Sequence, residues 1–165
     1  MRKLSVLIFC MSMLMLVGCS YQEKDNHKSQ EVLNQVKEDI IVDTQYYSIT
    51  LPSHWEEAYG YEIKTLTSKT YELDFYEKES FNENETGFLF SIQLYLKDKD
   101  YSYLSNHKHI GNLKVGNITY KVVVTFPKKV QYKEENANLY RRLSHDIDSI
   151  MKTIKAKEGY RFIQK

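Results

Sequence analysis

From Phe88 to Leu96 the chain alternates without interruption: Phe88, Phe90, Ile92, Leu94 and Leu96 fall on one side, and Ser91, Gln93 and Tyr95 on the other. Successive side chains of a strand leave opposite faces, so a period of two held this long predicts a strand with one face against a core. Shorter stretches repeat the pattern. Tyr47, Ile49 and Leu51 predict a first strand, stopped by Pro52, which has no N–H to give to a ladder. Tyr61, Ile63 and Thr65 predict a second, and Tyr71, Leu73 and Phe75 a third. The polar residues 82–87 read as a turn that lets the third and fourth strands pair as a hairpin. Val115-Gly116-Asn117 joins residues 110–114 to 118–126 in a second hairpin, with Gly116 suited to a positive φ.

After Pro127 the period changes from two to about 3.6. Leu139, Leu143, Ile147, Ile150, Met151 and Ile154 form one stripe, with Arg141, Arg142, Asp148, Lys152 and Lys155 away from it. An amphipathic helix over residues 136–156 follows, with Gly159 as its stop. A helical stripe of that length must be buried, and the apolar side of the sheet is the surface on offer. The expected fold class is α+β: an antiparallel β-sheet with a long C-terminal helix packed on one face. Residues 45–158 form that single domain, and residues 159–165 a C-terminal tail. From Glu31, the apolar residues Val32, Leu33, Val36 and Ile40 fall at helical spacing. They fit either a short N-terminal helix, which would cover the sheet's other face in an α/β/α sandwich, or an extended lead into the first strand.

The first eighteen residues carry a different signal. Arg2 and Lys3 precede the apolar stretch 4–17, which meets Gly18 and Cys19. Cationic head, apolar middle and small-residue exit describe a secretory leader. Its fourteen residues fall short of the roughly twenty that a helix needs to cross a bilayer core, which favours export and cleavage over an uncleaved anchor. Leu16-Val17-Gly18-Cys19 resembles the lipobox of a bacterial lipoprotein, and that resemblance implies a diacylglycerol on the Cys19 sulfur and cleavage before it. On this reading residues 1–18 are the signal peptide, and residues 19–44 are the lipidated cysteine and a flexible polar tether. The address is the extracytoplasmic face of the cell membrane. Two acyl chains suffice for stable anchoring, so nothing else in the chain has to touch lipid. Cys10 would leave with the leader and Cys19 would be consumed by lipid, so no disulfide is expected and stability must come from the core.

The chain has 23 Lys and Arg against 22 Asp and Glu. Arg2 and Lys3 are the only charged residues before Cys19, so processing turns the formal charge from +1 to −1. That balance argues against a nucleic-acid partner, which asks for a clustered basic face.

The segment Tyr47-Ser48-Ile49-Thr50-Leu51-Pro52-Ser53-His54-Trp55, the later hairpins, the strand Val122-Val123-Val124-Thr125-Phe126-Pro127 and the terminal helix together resemble the Mog1/PsbP-like domain, over residues 45–156. The plan also resembles small lipoproteins of Gram-positive bacteria. The resemblance implies an antiparallel sheet sandwiched between helices. It also implies a role as a binding or assembly partner, with no family-wide catalytic set to carry onto this chain.

Candidate chemistry is sparse. His107 and His109 share one side of a strand at a spacing used in zinc sites, but no third ligand lies near them in sequence, and a solvated loop is the expectation. His54 beside Trp55 reads as a turn with an aromatic plug. Ser144-His145-Asp146 spells triad letters, yet neighbours on a helix project about 100° apart, so a solvated polar face is expected. Asp74, Glu77 and Glu79 read as carboxylates of an exposed sheet face. No Gly-x-Ser-x-Gly, Gly-rich phosphate loop or His-Glu-x-x-His occurs. No cofactor and no metal are expected beyond the lipid on Cys19. Fourteen tyrosines exceed what one core needs. Tyr46, Tyr76 and Tyr95 fall on polar sides, with Tyr101 and Tyr103 in a loop, suiting either cross-strand pairing or a recognition surface. The expected function is a membrane-anchored, non-catalytic binding or assembly module facing an envelope or secreted protein. The alternative is an exported hydrolase or metal-dependent enzyme whose site assembles only in three dimensions.

Overall fold

The computed structural model of the protein describes residues 37–65 and 70–165. Cys10 and Cys19, the leader and residues 19–36 of the polar tether lie outside the described residues, as do Val32, Leu33 and Val36 of the expected N-terminal helix. Ile40, the last position of that helical spacing, begins a strand.

Among the described residues the architecture is α+β, with nine strands in two antiparallel sheets. Strands β1 (Ile40–Asp43) and β2 (Tyr47–Leu51) pair antiparallel. Then come β3 (Tyr59–Thr65), β4 (Thr70–Glu77), the short helix α1 (Lys78–Asn84) and β5 (Phe88–Leu96). The hairpin β6 (His107–Val115) and β7 (Ile118–Thr125) precedes the long helix α2 (Ala137–Met151), and β8 (Lys155–Ala156) and β9 (Tyr160–Gln164) end the chain. The large sheet runs β3-β4-β5-β7-β6-β9, and the small one β1-β2-β8.

Alternation and stripe close on one core. Leu73, Phe75, Phe90, Ile92, Leu94, Leu113, Val122 and Val124 line the inner face of the large sheet, against Tyr47, Ile49 and Leu51 of β2 and Leu143, Ile147, Ile150 and Met151 of α2. Arg141, Arg142, Asp148, Lys152 and Lys155 stay exposed, as the 3.6 period requires. Gly116 turns the β6–β7 hairpin at φ +57°.

Six expectations need correction. The strand at residues 47–51 does not join the main sheet. Pro52 ends it, a single 3₁₀ turn over Ser53–Trp55 follows, and the fully buried Trp55 turns the chain away before β3 begins. The connection between β4 and β5 is no simple polar turn, because Glu77 caps α1 by accepting from the backbone N–H groups of Glu79 and Ser80. Alternation in β5 is broken by a bulge: Phe75 pairs with Phe90 and Tyr76 with Phe88, so Leu89 is the extra residue. Leu89 enters the core, and Phe88 moves beside the Tyr76 ring at 6.1 Å. Helix α2 ends at Met151, not residue 156, because the Thr153 hydroxyl both donates to Ile150 O and accepts from the Thr50 N–H. That exchange hands the backbone to β2, and β8 follows.

Finally, residues 159–165 are not a tail. Gly159 (φ +79°) turns the chain into β9, which pairs with β6. That edge needs Gly111, since a Cβ there would lie 2.5 Å from Ile163 O. The tether reading likewise shortens, because residues 40–43 are strand β1.

Replacing Ile147 with Asp should cost several kcal/mol by burying an unpaired charge. Chemical denaturation checks this, and a neutral result would place the α2 stripe in solvent.

Candidate functional site

The large sheet has a second face, and strand alternation assigns it polar residues: Glu62 and Lys64 on β3, Glu72, Asp74 and Tyr76 on β4, Ser91, Gln93 and Tyr95 on β5, and Thr125 on β7. Yet the middle of this outer face is buried. Asp74 is only 4% exposed, and Ser91, Gln93, Tyr95, Val123 and Thr125 are buried too. Buried polar groups cost free energy unless they find partners, so the face is closed by a hydrogen-bond network.

The network starts at the β3 edge. Lys64 donates to Asp74 at 2.8 Å, and the Tyr76 hydroxyl donates to Glu62 at 3.1 Å. Further along, Gln93 (2.9 Å) and Ser91 (3.3 Å) donate to Oε1 of Glu72, and Tyr95 donates to Oε1 of Gln93. The Tyr95 and Tyr103 hydroxyls are 3.4 Å apart. Asp74 Oδ1 is buried without a hydrogen-bond partner. The hydrogen bond to Asp74 holds the Lys64 ammonium above its ordinary value. Burial, and then the charge of Asp74, pushes the Glu72 carboxyl up from the usual carboxylate range. Burial also raises the Tyr76 and Tyr95 phenols, so both stay protonated hydrogen-bond donors.

Residues 97–106 fold over one end of this face. The loop is held at several points: Ser102 donates to Asp100 through backbone and hydroxyl (2.8 Å each), Lys121 reaches Lys99 O and lies over the Tyr101 ring, and Asn106 donates to Pro127 O. Those bonds to Ser102 hold the Asp100 carboxyl below its ordinary value. Between the loop and β7 lies a cavity of about 310 Å³ with Gln93 and Thr125 as floor, Tyr103, Leu104 and Phe126 as walls, and Lys128 at its rim. Tyr103 stands 71% exposed above it. An aromatic lip over a buried polar floor can seat a polar group and stack against its flank.

The residues singled out from sequence distribute unevenly. Tyr95, Tyr101 and Tyr103 converge at one end of the outer face and Tyr76 lies at the other against Phe81, whereas Tyr46 packs on the core side against Tyr71 and Tyr120. His107 and His109 lie on that face with the Tyr101 ring 5.4 and 5.9 Å from their own. His107 donates through Nδ1 to Leu104 O and His109 through Nε2 to Gly111 O. No group of three or more His, Cys, Asp or Glu side chains is placed to hold a metal ion among the described residues. Asp74 and Glu77 are buried, not exposed, and only Glu79 matches the expectation of a solvated carboxylate. Glu77 is anchored by the α1 backbone and the Ser80 hydroxyl.

The triad letters diverge. Ser144 lines a groove beside Tyr140, and His145 is exposed. Asp146 accepts from the Trp55 indole (2.9 Å) and meets the His54 ring (2.7 Å), which pins the 3₁₀ turn to α2. Gln93, Thr125, Glu72 and Lys128 carried no sequence signal beyond their place on polar strand faces or in a basic loop.

None of the helices among the described residues is long and apolar enough to cross a membrane. Compared with protein-family models, curated proteins and solved structures, the chain gives no match.

Because the folded protein binds the Glu72 proton more tightly than the unfolded chain does, stability is lost as pH rises from the ordinary carboxylate value through the raised folded one. Glu72→Gln keeps a carbonyl oxygen for Gln93 and Ser91 and has no proton to lose. It should melt higher than the parent at about pH 7, with the gap closing toward about pH 4. Thermal melts at the two pH values decide this, and a gap independent of pH would remove Glu72 ionisation as the cause.

Proposed function

We propose that the protein is a non-catalytic binding module of the cell envelope, held at the extracytoplasmic face of the membrane by a diacylglycerol on Cys19, and that it engages an envelope or secreted protein through the outer face of its large sheet. The observation that carries the reading is the cavity under Tyr103, whose floor residues are polar and buried and whose covering loop is tied down on both sides. Preorganisation of this kind lowers the ordering cost of binding. Tyrosine supplies large, stiff contact area with a polar tip, which suits capture of a partner's loop or side chain. The lipid anchor is supported by the leader and the Leu16-Val17-Gly18-Cys19 motif.

The same reading keeps the Mog1/PsbP-like layering as its finer statement of fold. In its support, α2 covers the inner face of an antiparallel sheet, and β2 ends in Leu51-Pro52 with a buried Trp55 three residues on.

Two outcomes test the reading. Cys19→Ala should shift the processed protein from nearly all membrane-bound to nearly all soluble, read by fractionation, and persistent sedimentation with membranes after leader removal defeats the anchor. A photoreactive benzoylphenylalanine at Tyr103 should yield one discrete adduct in intact cells that the same group at Ile41 does not. Identical or absent adducts would exclude the outer face as the contact.

A further inference from the structure

The large sheet ends at β3, and no strand pairs with the outer edge of β3 among the described residues. An unpaired edge exposes a row of backbone N–H and C=O groups, a template for another strand. Two apolar side chains stand beside it on the inner face, Tyr61 at 46% and Ile63 at 48% exposure. They extend an aromatic ladder in which Tyr61 lies 6.0 Å from Phe75 and Phe75 lies 4.6 Å from Phe90.

The edge is complementary to itself. If two copies of β3 run antiparallel about a twofold axis at Ile63, Ile63 faces Ile63 of the second copy, and Tyr61 faces the second copy's Thr65. Glu62 then faces Lys64 of the second copy, twice over by symmetry. Opposite charges directly across an antiparallel pair are favourable, and a shift by one residue moves Tyr61 and Ile63 out of their continuous inner face.

The other edges lack this property. Strand β9 carries Arg161, is followed by Lys165 and contains no acid, so a copy of itself brings cations together. Strand β1 is four residues long and holds no cation to face Asp43 across a twofold, and β8 has only two residues.

We infer that the β3 edge is a homotypic interface, in which two copies of this chain join their large sheets through Tyr61–Thr65 into one continuous twelve-stranded sheet. So short a seam buries less than a standard interface of about 1,600 Å², so the dimer is weak in dilute solution. Confinement of both copies to one membrane raises their effective concentration. The inference does not rest on the cavity, whose floor lies on β5 and β7, but Glu62 and Lys64 serve both the edge and the outer-face network.

The test is disulfide trapping of the full-length chain in the cells that make it. Directly opposed antiparallel residues have Cα atoms about 4.5–5.5 Å apart, within disulfide range. Ile63→Cys should therefore give a dimer of the chain on mild oxidation, where the parent, with only Cys10 and Cys19, sets the background. Ile41→Cys on β1 and Ile163→Cys on β9, both exposed, should stay at background. Adding Glu62→Lys to Ile63→Cys should cut the trapped fraction at least threefold by setting Lys against Lys64. The inference is overturned if Ile63→Cys stays monomeric while its thiol is fully labelled by maleimide. It is equally overturned if the three positions cross-link alike, if the adduct contains a different protein, or if Glu62→Lys leaves the trapped fraction unchanged.

Discussion

A six-stranded sheet has two faces to close, and the described part of this chain supplies one long amphipathic helix to close them with. Helix α2 and the small sheet spend their apolar surface on the inner face, where Leu143, Ile147 and Ile150 meet Phe90, Ile92 and Val124. The outer face has to be closed by other means. It is closed by hydrogen bonds among Lys64, Asp74, Glu72, Gln93 and Tyr95, by Phe81 of α1 stacked on Tyr76 at 4.1 Å, and by the loop 97–106. Apolar closure leaves no specific chemistry behind. Polar closure leaves oriented donors and acceptors, and in this protein the candidate site is made of them.

The small sheet solves a second problem, which is how the two ends of the domain stay together. Strand β2 lies near the start of the domain, β8 follows α2, and they pair with each other. Thr153 bonds both α2 and β2, while Asp146 on α2 holds the indole and imidazole of the turn after β2. Side chains that read as solvated helix surface or triad letters therefore act as joints. Their polarity is used to fix the angle of α2 over the sheet, because a hydrogen bond is directional where apolar packing is not.

Strand alternation and the helical stripe made the elements legible because both depend only on which neighbours share a face, a local property. The bulge at Leu89 and the early end of α2 at Met151 escaped that reading. Each results from a contact made far along the chain, the former with β4 and the latter with Thr50. The site was half legible. Surplus tyrosine on polar strand positions marked Tyr76 and Tyr95, and in a loop Tyr103, but nothing about Gln93 or Thr125 in sequence distinguishes a buried polar residue from an exposed one. Burial of a polar side chain is decided by what folds over it, here residues 97–106.

By itself the amino-acid order determined the α+β class, the inner-face core and the existence of the β6–β7 hairpin, though not its register, because periodicity and a glycine at positive φ act over a few residues. Only the tertiary structure decided that Tyr47–Leu51 would leave the main sheet, that the last residues would become its sixth strand, and that carboxylates drawn as solvated would be buried in a network. Those outcomes rest on pairings between segments up to about a hundred residues apart, such as Thr50 with Thr153, and such pairings are selected by the whole fold's need to satisfy each buried polar group.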